Sequence, residues 1–322
     1  MPYSSEIYRL AERELERRRE RAELQAEERK EKILAAIPEA VEIQRKLATI
    51  GAGISRLIFM KEGAQEKLDE MHAQSVALVE RRARLLQAHG YGEDALKVQY
   101  TCPHCEDKGF IGGRMCNCHR QLLKEFMWKE VCRFAPLDRC TFDNFDLSYY
   151  SDVPLENSVV PRARAEKVYD AASRYAQSFR HGSKNLMFLG ATGLGKTHLS
   201  LAIAGVAIKR GFSVCYGTSQ NICDDLRAEM FGRDANLYYT KERVLGVDLL
   251  VLDDLGTEID NQYNTANLLN IINSRILSGR PTIISTNYDL DELLDKYDQR
   301  LTSRITGEYV QLTLFGTDNR QK

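Results

Sequence analysis

The sequence predicts an α/β fold in which a parallel sheet is flanked by helices, preceded by a helical arm and a small cysteine knuckle. Short apolar runs alternate with helical segments in the second half of the chain, which is typical of a parallel sheet with right-handed crossovers. The region before residue 90 is rich in helix formers, and two close cysteine pairs follow it. We expect an arm over 1–95, a knuckle with its following helix over 96–135, a linker over 136–160 and the α/β domain over 161–322.

The composition is that of a globular protein without a strong overall charge. Charged residues make up 28% and hydrophobic residues 43% of the chain, and the formal net charge is -1. No global basic field draws the chain onto nucleic acid, so any DNA contact must be local. The sequence has no run of about 18 apolar residues, as a membrane helix requires, and its amino terminus is charged where a signal peptide is apolar. We therefore expect a cytoplasmic protein without a membrane partner.

The arm is predicted to consist of helices. Residues 9–32 are almost wholly strong helix formers, and a second helix should begin at Pro38, because proline suits the first helical position. A third segment carries apolar residues at helical spacing from 64 to 85. We expect a helical hairpin or a short coiled coil over 36–90, although three glycines leave its continuity open. An interaction arm and a self-contained bundle are both compatible with this pattern.

Two close pairs of cysteines predict a zinc site. The four residues are Cys102, Cys105, Cys116 and Cys118. A glycine-containing loop between the pairs lets four thiolates meet at the corners of a tetrahedron, which is the geometry of a structural Zn²⁺ site. His104 and His119 flank the cysteines and offer alternative ligands, although paired cysteines favour four sulfurs. A redox C-x-x-C motif is the competing interpretation, but it leaves the second pair unexplained.

Strand and helix signals alternate through the α/β domain. Strands are predicted over 185–189, 212–216, 248–252 and 281–286, with a strand-like run from 309 to 315. Helices are predicted over 164–179, 197–210, 218–230, 262–278 and 289–297, and a further helix carries residues 299–305. Because ligands of open α/β sheets bind at the carboxyl ends of the strands, we expect the candidate site there.

A glycine-rich turn follows the first strand of this domain. Residues 190–197 match G-x-x-x-x-G-K-[ST] between a strand and a helix, the context in which this motif forms a phosphate-binding loop. Its glycines let successive N–H groups converge on phosphate oxygens at the positive end of the helix. Lys196 would contact the β- and γ-phosphates, and the Thr197 hydroxyl would bind Mg²⁺. The predicted nucleotide-binding residues are Gly190, Ala191, Thr192, Gly193, Leu194, Gly195, Lys196, Thr197 and His198.

Polar side chains that follow two later strands complete the predicted site. Asp253 would hold Mg²⁺, directly or through water, and Asp254 would orient or deprotonate the attacking water. Asn287 would contact the γ-phosphate or that water. Arg300 and Arg304 lie on one helix face, and we expect Arg304 to act on the site of a neighbouring subunit across an oligomer interface. A surface ion pair is the alternative role for the two arginines.

The motifs between residues 142 and 322 resemble those of the AAA+ ATPases of the replicative-helicase loader family of bacteria and phages, the DnaC/DnaI type. The matching stretches are 190–197, Asp253-Asp254, Ser285-Thr286-Asn287 and 300–304. The preceding cysteines resemble the zinc-bearing part of the DnaI branch. The resemblance implies ATP, Mg²⁺ and Zn²⁺ as cofactors, self-association through the ATP sites, and docking of a hexameric replicative helicase by the amino-terminal region.

The resemblance also implies that residues between 219 and 246 contact single-stranded DNA. Side chains of suitable type in this segment are Arg227, Arg233, Tyr238, Tyr239, Lys241 and Arg243. Two other functions stay open: an IstB-type transposition helper, which has a similar ATPase core and binds duplex DNA, and a nucleotide-gated scaffold with little turnover. The knuckle and the helical arm favour the loader, because the helper ordinarily lacks such a docking part.

The sequence departs from the family pattern in two ways. The second acidic residue is Asp254, where AAA+ enzymes commonly have glutamate, so its carboxylate is one methylene shorter and slow hydrolysis is expected. Too few residues follow Ile305 for the usual helical lid, so we expect the lid to be absent or truncated. A second sensor arginine should then be missing unless Arg320 replaces it.

Overall fold

The computed structural model describes residues 3–57, 64–92, 94–156, 158–232, 237–297 and 299–317. The chain divides into two compact units, a smaller one of Glu12–His119 and a larger one of Met1–Ala11 with Arg120–Lys322. The predicted functional boundaries near residues 95, 135 and 160 stay predictions, because compactness alone does not define them.

Three long helices make up most of the smaller unit. They are α1 (Ser5–Ala36), whose first residues belong to the larger unit, α2 (Pro38–Leu57) and α3 (Ala64–Ala88). Helix α2 begins at Pro38, as predicted, and continues through both of its glycines. It packs against α3, so the predicted hairpin is confirmed, with residues 58–63 outside the described part of the chain. Among the described residues, no helix is long and apolar enough to cross a membrane.

A short hairpin separates the two cysteine pairs. Strand β1 (Phe110–Ile111) pairs antiparallel with β2 (Arg114–Met115) across a Gly-Gly loop, a two-residue connection whose backbone matches the twist of paired strands. Helix α4 (Asn117–Cys132) begins directly after Cys116. The hairpin returns the chain, so the second cysteine pair lies beside the first.

The larger unit contains a five-stranded parallel sheet. Its strands are β3 (Asn185–Leu189), β4 (Val214–Thr218), β5 (Leu249–Leu255), β6 (Thr282–Thr286) and β7 (Tyr309–Thr313). The order across the sheet is β4-β5-β6-β3-β7, and all neighbouring pairs are parallel. The predicted strands are confirmed, with bounds shifted by a few residues. Strand β6 lies between the glycine-loop strand β3 and the acidic strand β5.

Helices cover the sheet, as predicted. They are α5 (Pro161–Ser178), α6 (Lys196–Arg210), α7 (Ser219–Met230), α8 (Lys241–Gly246), α9 (Gln262–Leu277), α10 (Leu290–Lys296) and α11 (Gln299–Glu308). Met187 and Leu189 of β3 belong to one apolar core with buried residues of α7–α11. Their neighbours Leu186 and Phe188 point to the opposite face and are also buried. On the described residues after β7, which end at 317, no helix follows.

Candidate functional site

The glycine loop joins β3 to α6 at the carboxyl end of the sheet. Gly195 has a φ of 81°, and a Cβ at this position would lie 2.7 Å from the Phe145 ring. Gly190 has a φ of 141°, and its Cβ would lie 2.4 Å from the Leu314 carbonyl oxygen. A side chain would be strained and crowded at both positions, so the backbone path of this loop requires glycine there.

Lys196 and Asn287, predicted from separate motifs, are in direct contact. The Lys196 side chain is only 5% exposed, and its Nζ donates to Oδ1 of Asn287 at 2.7 Å. The same ammonium donates to the carbonyl oxygens of Gly190 at 2.7 Å and Ala191 at 2.8 Å. A buried charge needs such acceptors, because burial without them costs much free energy. These bonds hold the ammonium between the glycine loop and the end of β6.

Three hydroxyl groups hold the carboxylate of Asp253, which is 2% exposed. Thr197 donates to Oδ1 at 3.1 Å, Ser285 donates to the same oxygen, and Tyr216 donates to Oδ2 at 2.7 Å. The two residues predicted to bind Mg²⁺, Thr197 and Asp253, therefore lie together. Burial and the adjacent carboxylate raise the pKa of Tyr216, so its phenol keeps its proton and remains a donor to Asp253.

Asp254 lies where the register of β5 against β6 shifts. Its φ is 52°, a left-handed conformation that aspartate tolerates better than most residues. Its N–H donates to the Ser285 hydroxyl at 3.0 Å, and its carbonyl oxygen lies 2.9 Å from the Ser219 hydroxyl. Asp253 is buried whereas Asp254 is partly exposed, so the irregularity gives the two adjacent carboxylates different surroundings.

A second buried carboxylate, which no motif predicted, lies just beyond β5. Glu258 is 4% exposed and accepts from the Ser219 hydroxyl at 2.5 Å, from the Gly256 N–H at 3.1 Å and from the Tyr297 phenol. Ser219 is the first residue of α7, and Tyr297 follows α10. Glu258 therefore connects the loop after β5 to α7 and to the segment that precedes α11, the helix that carries Arg304.

Residues of the predicted linker pack against the glycine loop. The Tyr150 phenol donates to the Leu194 carbonyl at 2.6 Å, and Nε2 of His198 lies 2.7 Å from the Thr141 carbonyl oxygen. The Phe145 ring packs edge-on against the His198 ring. A cavity of about 250 Å³ lies between this segment and the loop. The linker is therefore part of the candidate site.

The two arginines of α11 stand apart from this network. Arg300 and Arg304 are both exposed. Within the described ranges, neither guanidinium makes an ion pair or a hydrogen bond. The alternative role in a surface ion pair is therefore not supported, because no described carboxylate pairs with either guanidinium. The expected action of Arg304 on a neighbouring subunit stays a prediction.

Part of the segment expected to contact DNA is turned inward. Tyr239 is 3% exposed. The Arg243 guanidinium forms a 2.5 Å ion pair with a carboxylate of α4 and lies 3.8 Å from the centroid of the Tyr238 ring. The expectation that these three side chains present cations and stacking faces to DNA is therefore wrong in this conformation. Lys241 is exposed, and Arg233 lies outside the described residues.

The cysteine cluster fits a zinc ion. The sulfur atoms of Cys102, Cys105, Cys116 and Cys118 all lie within 4.8 Å of one another. Two of the separations are 3.8 Å and 3.3 Å, near the value of about 3.8 Å that Zn–S bonds of about 2.3 Å give in a tetrahedron. The group contains neither His104 nor His119. A hydrogen bond from the Cys118 backbone lowers the pKa of the Cys116 thiol to about 7, whereas burial raises the pKa of the Cys105 and Cys118 thiols, whose thiolates a bound metal would have to stabilise.

Backbone hydrogen bonds fix the geometry of the cluster. The buried carboxylate of Asp107 accepts from the N–H groups of Thr101 at 2.8 Å and Cys102 at 2.9 Å. The Gly109 N–H donates to the Cys105 sulfur at 3.3 Å. These bonds close a tight turn around the first pair, so the sulfurs face the second pair.

Replacement of Tyr216 by phenylalanine should weaken the binding of Mg²⁺ at the site. The change removes one of the three donors to Asp253, and a hydrogen bond to a charged group contributes about 1.5–3 kcal/mol. We expect a higher Mg²⁺ concentration for half-maximal ATP turnover, measured by Mg²⁺ titration at saturating ATP. Tyr263→Phe, which removes a phenol bonded to the Leu226 carbonyl, is the matched control. Equal Mg²⁺ titrations for both variants would contradict this role of Tyr216.

Tyr216, Glu258 and the linker rings are the site residues that motif reasoning missed. Tyr216 lies two residues before the end of the buried strand β4, and a polar side chain so close to the carboxyl end of a strand is the signal that could have indicated it. Glu258 has no comparable signal in the sequence. The linker could have been suspected from its closely spaced aromatic residues before a phosphate-binding domain.

Comparisons with known proteins place the chain among ATP-binding replication proteins. The family model described as IstB-like ATP binding protein matches residues 156–307. A protein of Buchnera aphidicola subsp. Baizongia pistaciae named replicative helicase loader DnaC is 30% identical over 178 residues, which cover 54% of this chain and 71% of the relative. The Escherichia coli K12 protein of the same name is 28% identical over 134 residues, or 42% of this chain and 55% of the relative.

Solved structures give matches of similar extent. A crystal structure of the DnaC helicase loader has a TM-score of 0.46 and 25% identity, and covers 56% of this chain and 99% of the other. A crystal structure of DnaI has a TM-score of 0.44 and 23% identity, and covers 57% of this chain and 93% of the other.

Proposed function

Because the chain belongs to the DnaC family of replicative helicase loaders, we propose that it places a replicative helicase on single-stranded DNA under the control of ATP. The observation that carries the proposal is the similarity to a relative named for this role, over 71% of that relative's length. The site supports it, because Lys196 and Asn287 are in contact, as are Thr197 and Asp253.

ATP would bind with its phosphates along residues 190–197 and its base in the cavity beside Phe145. Lys196 would hold the β- and γ-phosphates, and Thr197 and Asp253 would hold Mg²⁺. This donor set fits the ion, because Mg²⁺ prefers oxygen ligands and takes few of them from the protein. When bound, Mg²⁺ would supply positive charge against the negative charge that develops in phosphoryl transfer.

Hydrolysis would be slow and would serve as a switch. Asp254 would orient or deprotonate the attacking water, and the hydrogen bond from its backbone N–H to the Ser285 hydroxyl fixes its position. Its side chain is one methylene shorter than the glutamate common in AAA+ enzymes, so its reach toward the water is shorter. Nucleotide binding would then act mainly as a switch that depends on the assembly state of the loader, and hydrolysis would not drive repeated mechanical steps.

Arg304 would complete the site of a neighbouring subunit. The exposed guanidinium is not engaged by its own described chain, and such a group stabilises developing charge in phosphoryl transfer. Replacement of Arg304 by alanine should leave ATP affinity unchanged and reduce stimulated hydrolysis by about 10³-fold or more, the range for arginines supplied in trans. Turnover would be measured with the partner helicase and single-stranded DNA present.

A mixing experiment separates an action across the interface from an action within one chain. An equimolar mixture of two purified variants, Arg304→Ala and Asp254→Asn, should regain turnover. Mixed oligomers contain sites in which an intact Asp254 of one subunit faces an intact Arg304 of its neighbour. Arg133→Ala, which removes an exposed arginine outside the motifs, is the control. Normal turnover of Arg304→Ala alone would remove Arg304 from the mechanism.

The loader role is tested with the replicative helicase of the host organism. Purified full-length protein and helicase would be mixed with and without ATP, and complex formation measured by light scattering after size exclusion. Deposition would be measured as unwinding of a DNA fork already coated by single-strand binding protein. We expect association and ATP-dependent deposition. No association in either nucleotide state would overturn the proposal.

The amino-terminal unit would provide the docking part for the helicase. Its helical hairpin and cysteine knuckle contain no residues of the nucleotide site. The match to the IstB-like family keeps a transposition helper as the alternative, since that similarity covers the ATPase core. Tight binding of duplex DNA without helicase association would favour the helper, and nucleotide binding without any turnover would favour a scaffold.

A further inference from the structure

Strand β7 is one edge of the sheet, with β3 as its hydrogen-bonded neighbour. The Leu314 N–H donates to the Leu189 carbonyl at 2.8 Å, which fixes the direction of the backbone groups along the strand. Because N–H and C=O groups alternate sides along a strand, those of Gln311 and Thr313 point away from β3. The Thr313 carbonyl accepts from Arg164 Nε at 3.1 Å. The outward groups of Gln311 have no hydrogen-bond partner among the described residues.

A cleft of about 620 Å³ lies beside this edge, between β7 and α5. Its large aliphatic residues are Leu186 of β3 with Val310 and Leu312 of β7. These side chains share one face of the sheet, because Leu186 and Val310 are register partners and Leu312 is two residues further along. Val310 is 41% exposed. An edge strand with an apolar, partly open face is the kind of surface on which proteins accept an added strand.

The cleft has a strongly basic rim. Arg174, Arg180 and Lys184 line it, and all three are exposed. No carboxylate is among the described residues that line the cleft, and none of the three cations takes part in an ion pair with a described residue. The chain as a whole has a formal net charge of -1, so this concentration of one sign is local.

We propose that this cleft binds an extended acidic segment of a partner protein as an added strand beside β7. The outward groups of Gln311 would pair with the backbone of the segment. Because Val310, Leu312 and the three cations line the same cleft, one face of the added strand would carry both apolar side chains, which contact Val310 and Leu312, and acidic side chains, which face the cations. The proposal concerns a surface outside the nucleotide site and goes beyond the loader function.

The surface favours a peptide over nucleic acid. A single-stranded nucleic acid groove combines cations with exposed aromatic rings on which the bases stack. This cleft offers aliphatic side chains, and its aromatic residue, Tyr175, donates its phenol to the Lys184 carbonyl at 2.8 Å. Unpaired backbone groups at a sheet edge also match a polypeptide ladder, which a nucleic acid cannot form.

The proposal is tested with three labelled octapeptides and the full-length protein. In the first peptide every second residue is serine and the residues between are valine and glutamate in turn, so that one face of the strand carries both. In the second, serine also replaces valine, and the third is the first peptide with alternate backbone nitrogens methylated. Fluorescence anisotropy should show saturable binding of the first peptide and at least about tenfold weaker binding of the other two, since each loses one kind of contact. Equal binding of all three would overturn the added-strand proposal.

Variants locate the binding to this cleft. The double variant Arg174→Glu, Lys184→Glu should bind the first peptide at least about tenfold more weakly, whereas Arg133→Glu, Lys209→Glu, which reverses two exposed cations elsewhere in the same unit, should bind it normally. Gln311→Pro, which removes an outward N–H from an edge strand, should also weaken binding. All variants should retain ATP binding, which shows that they are folded. Displacement of the peptide by equimolar oligothymidine, or equal effects of both double variants, would overturn the proposal.

Discussion

Replacement of Lys196 by alanine should abolish ATP binding by the full-length protein. The ammonium is buried, and three oxygen atoms hold it within 2.8 Å at the mouth of the glycine loop. Hydrogen bonds to charged groups contribute about 1.5–3 kcal/mol each, and about 1.4 kcal/mol is a tenfold change in Kd. Loss of bonds to two phosphate groups should therefore weaken ATP binding at least ~100-fold.

Isothermal titration with ATP and Mg²⁺ measures this effect. Lys167→Ala, which removes an exposed lysine of α5, is the matched control and should bind ATP normally. Thermal unfolding without nucleotide should be similar for both variants, because the oxygen atoms that Lys196 leaves behind lie at an open loop where water replaces it. Added ATP should raise the Tm of the control alone. Wild-type affinity in Lys196→Ala would show that the loop does not bind phosphate through this residue.

The parallel sheet was predictable because its strands are buried on both faces. Such strands are short apolar runs, and the run before Gly190 gives β3 its predicted bounds, 185–189. Strand β5 extends further than predicted, since Asp253 and Asp254 interrupt the apolar run while the strand continues, through the irregularity at Asp254, to Leu255. Periodicity thus locates a buried strand well and locates its polar end poorly.

The contacts within the site were predictable only where a motif fixes them. Thr197 and Asp253 meet because each ends or follows a strand at the same edge of the sheet. Tyr216 contacts the same carboxylate because Thr218, two residues later in β4, is the register partner of Asp253 in β5. The register between two strands is not encoded in either local sequence pattern. Glu258 is buried by contacts to two helices that are far apart in the sequence. These positions depend on tertiary packing.

The prediction of a DNA surface from charged and aromatic residues was partly wrong, because tertiary packing buries some of these side chains. Arg243 and Tyr238 have the chemistry of a nucleic acid contact, yet they pack with a carboxylate and a ring from the region around α4. Burial raises the pKa of Tyr239, which keeps this phenol protonated and donating to the Tyr216 carbonyl at 3.0 Å. The residues that surround such a side chain in the fold decide whether it packs inside the protein or contacts nucleic acid. The amino-acid composition of a segment does not contain this information.

Removal of zinc should unfold the cysteine knuckle while the nucleotide site stays intact. The knuckle has a two-stranded hairpin and little apolar core of its own, so metal binding and folding are coupled. Structural zinc in small domains binds with an apparent free energy of about 10–16 kcal/mol at neutral pH, far more than so small a hairpin gains otherwise. The protein purified under reducing conditions should carry one zinc ion per chain, for the one cysteine group.

Cys105→Ser tests this directly, because Cys105 is the buried sulfur that also accepts from the Gly109 N–H. We expect loss of zinc, measured by a metallochromic dye after denaturation, and rapid proteolysis between residues 102 and 118. Cys132→Ser, outside the cluster, should retain its metal and its protease resistance. Both variants should bind ATP as the wild type does, since the nucleotide site lies on other elements. Equal metal content in the two variants would contradict the zinc assignment, and a disulfide in place of metal would favour the redox interpretation of the C-x-x-C pair.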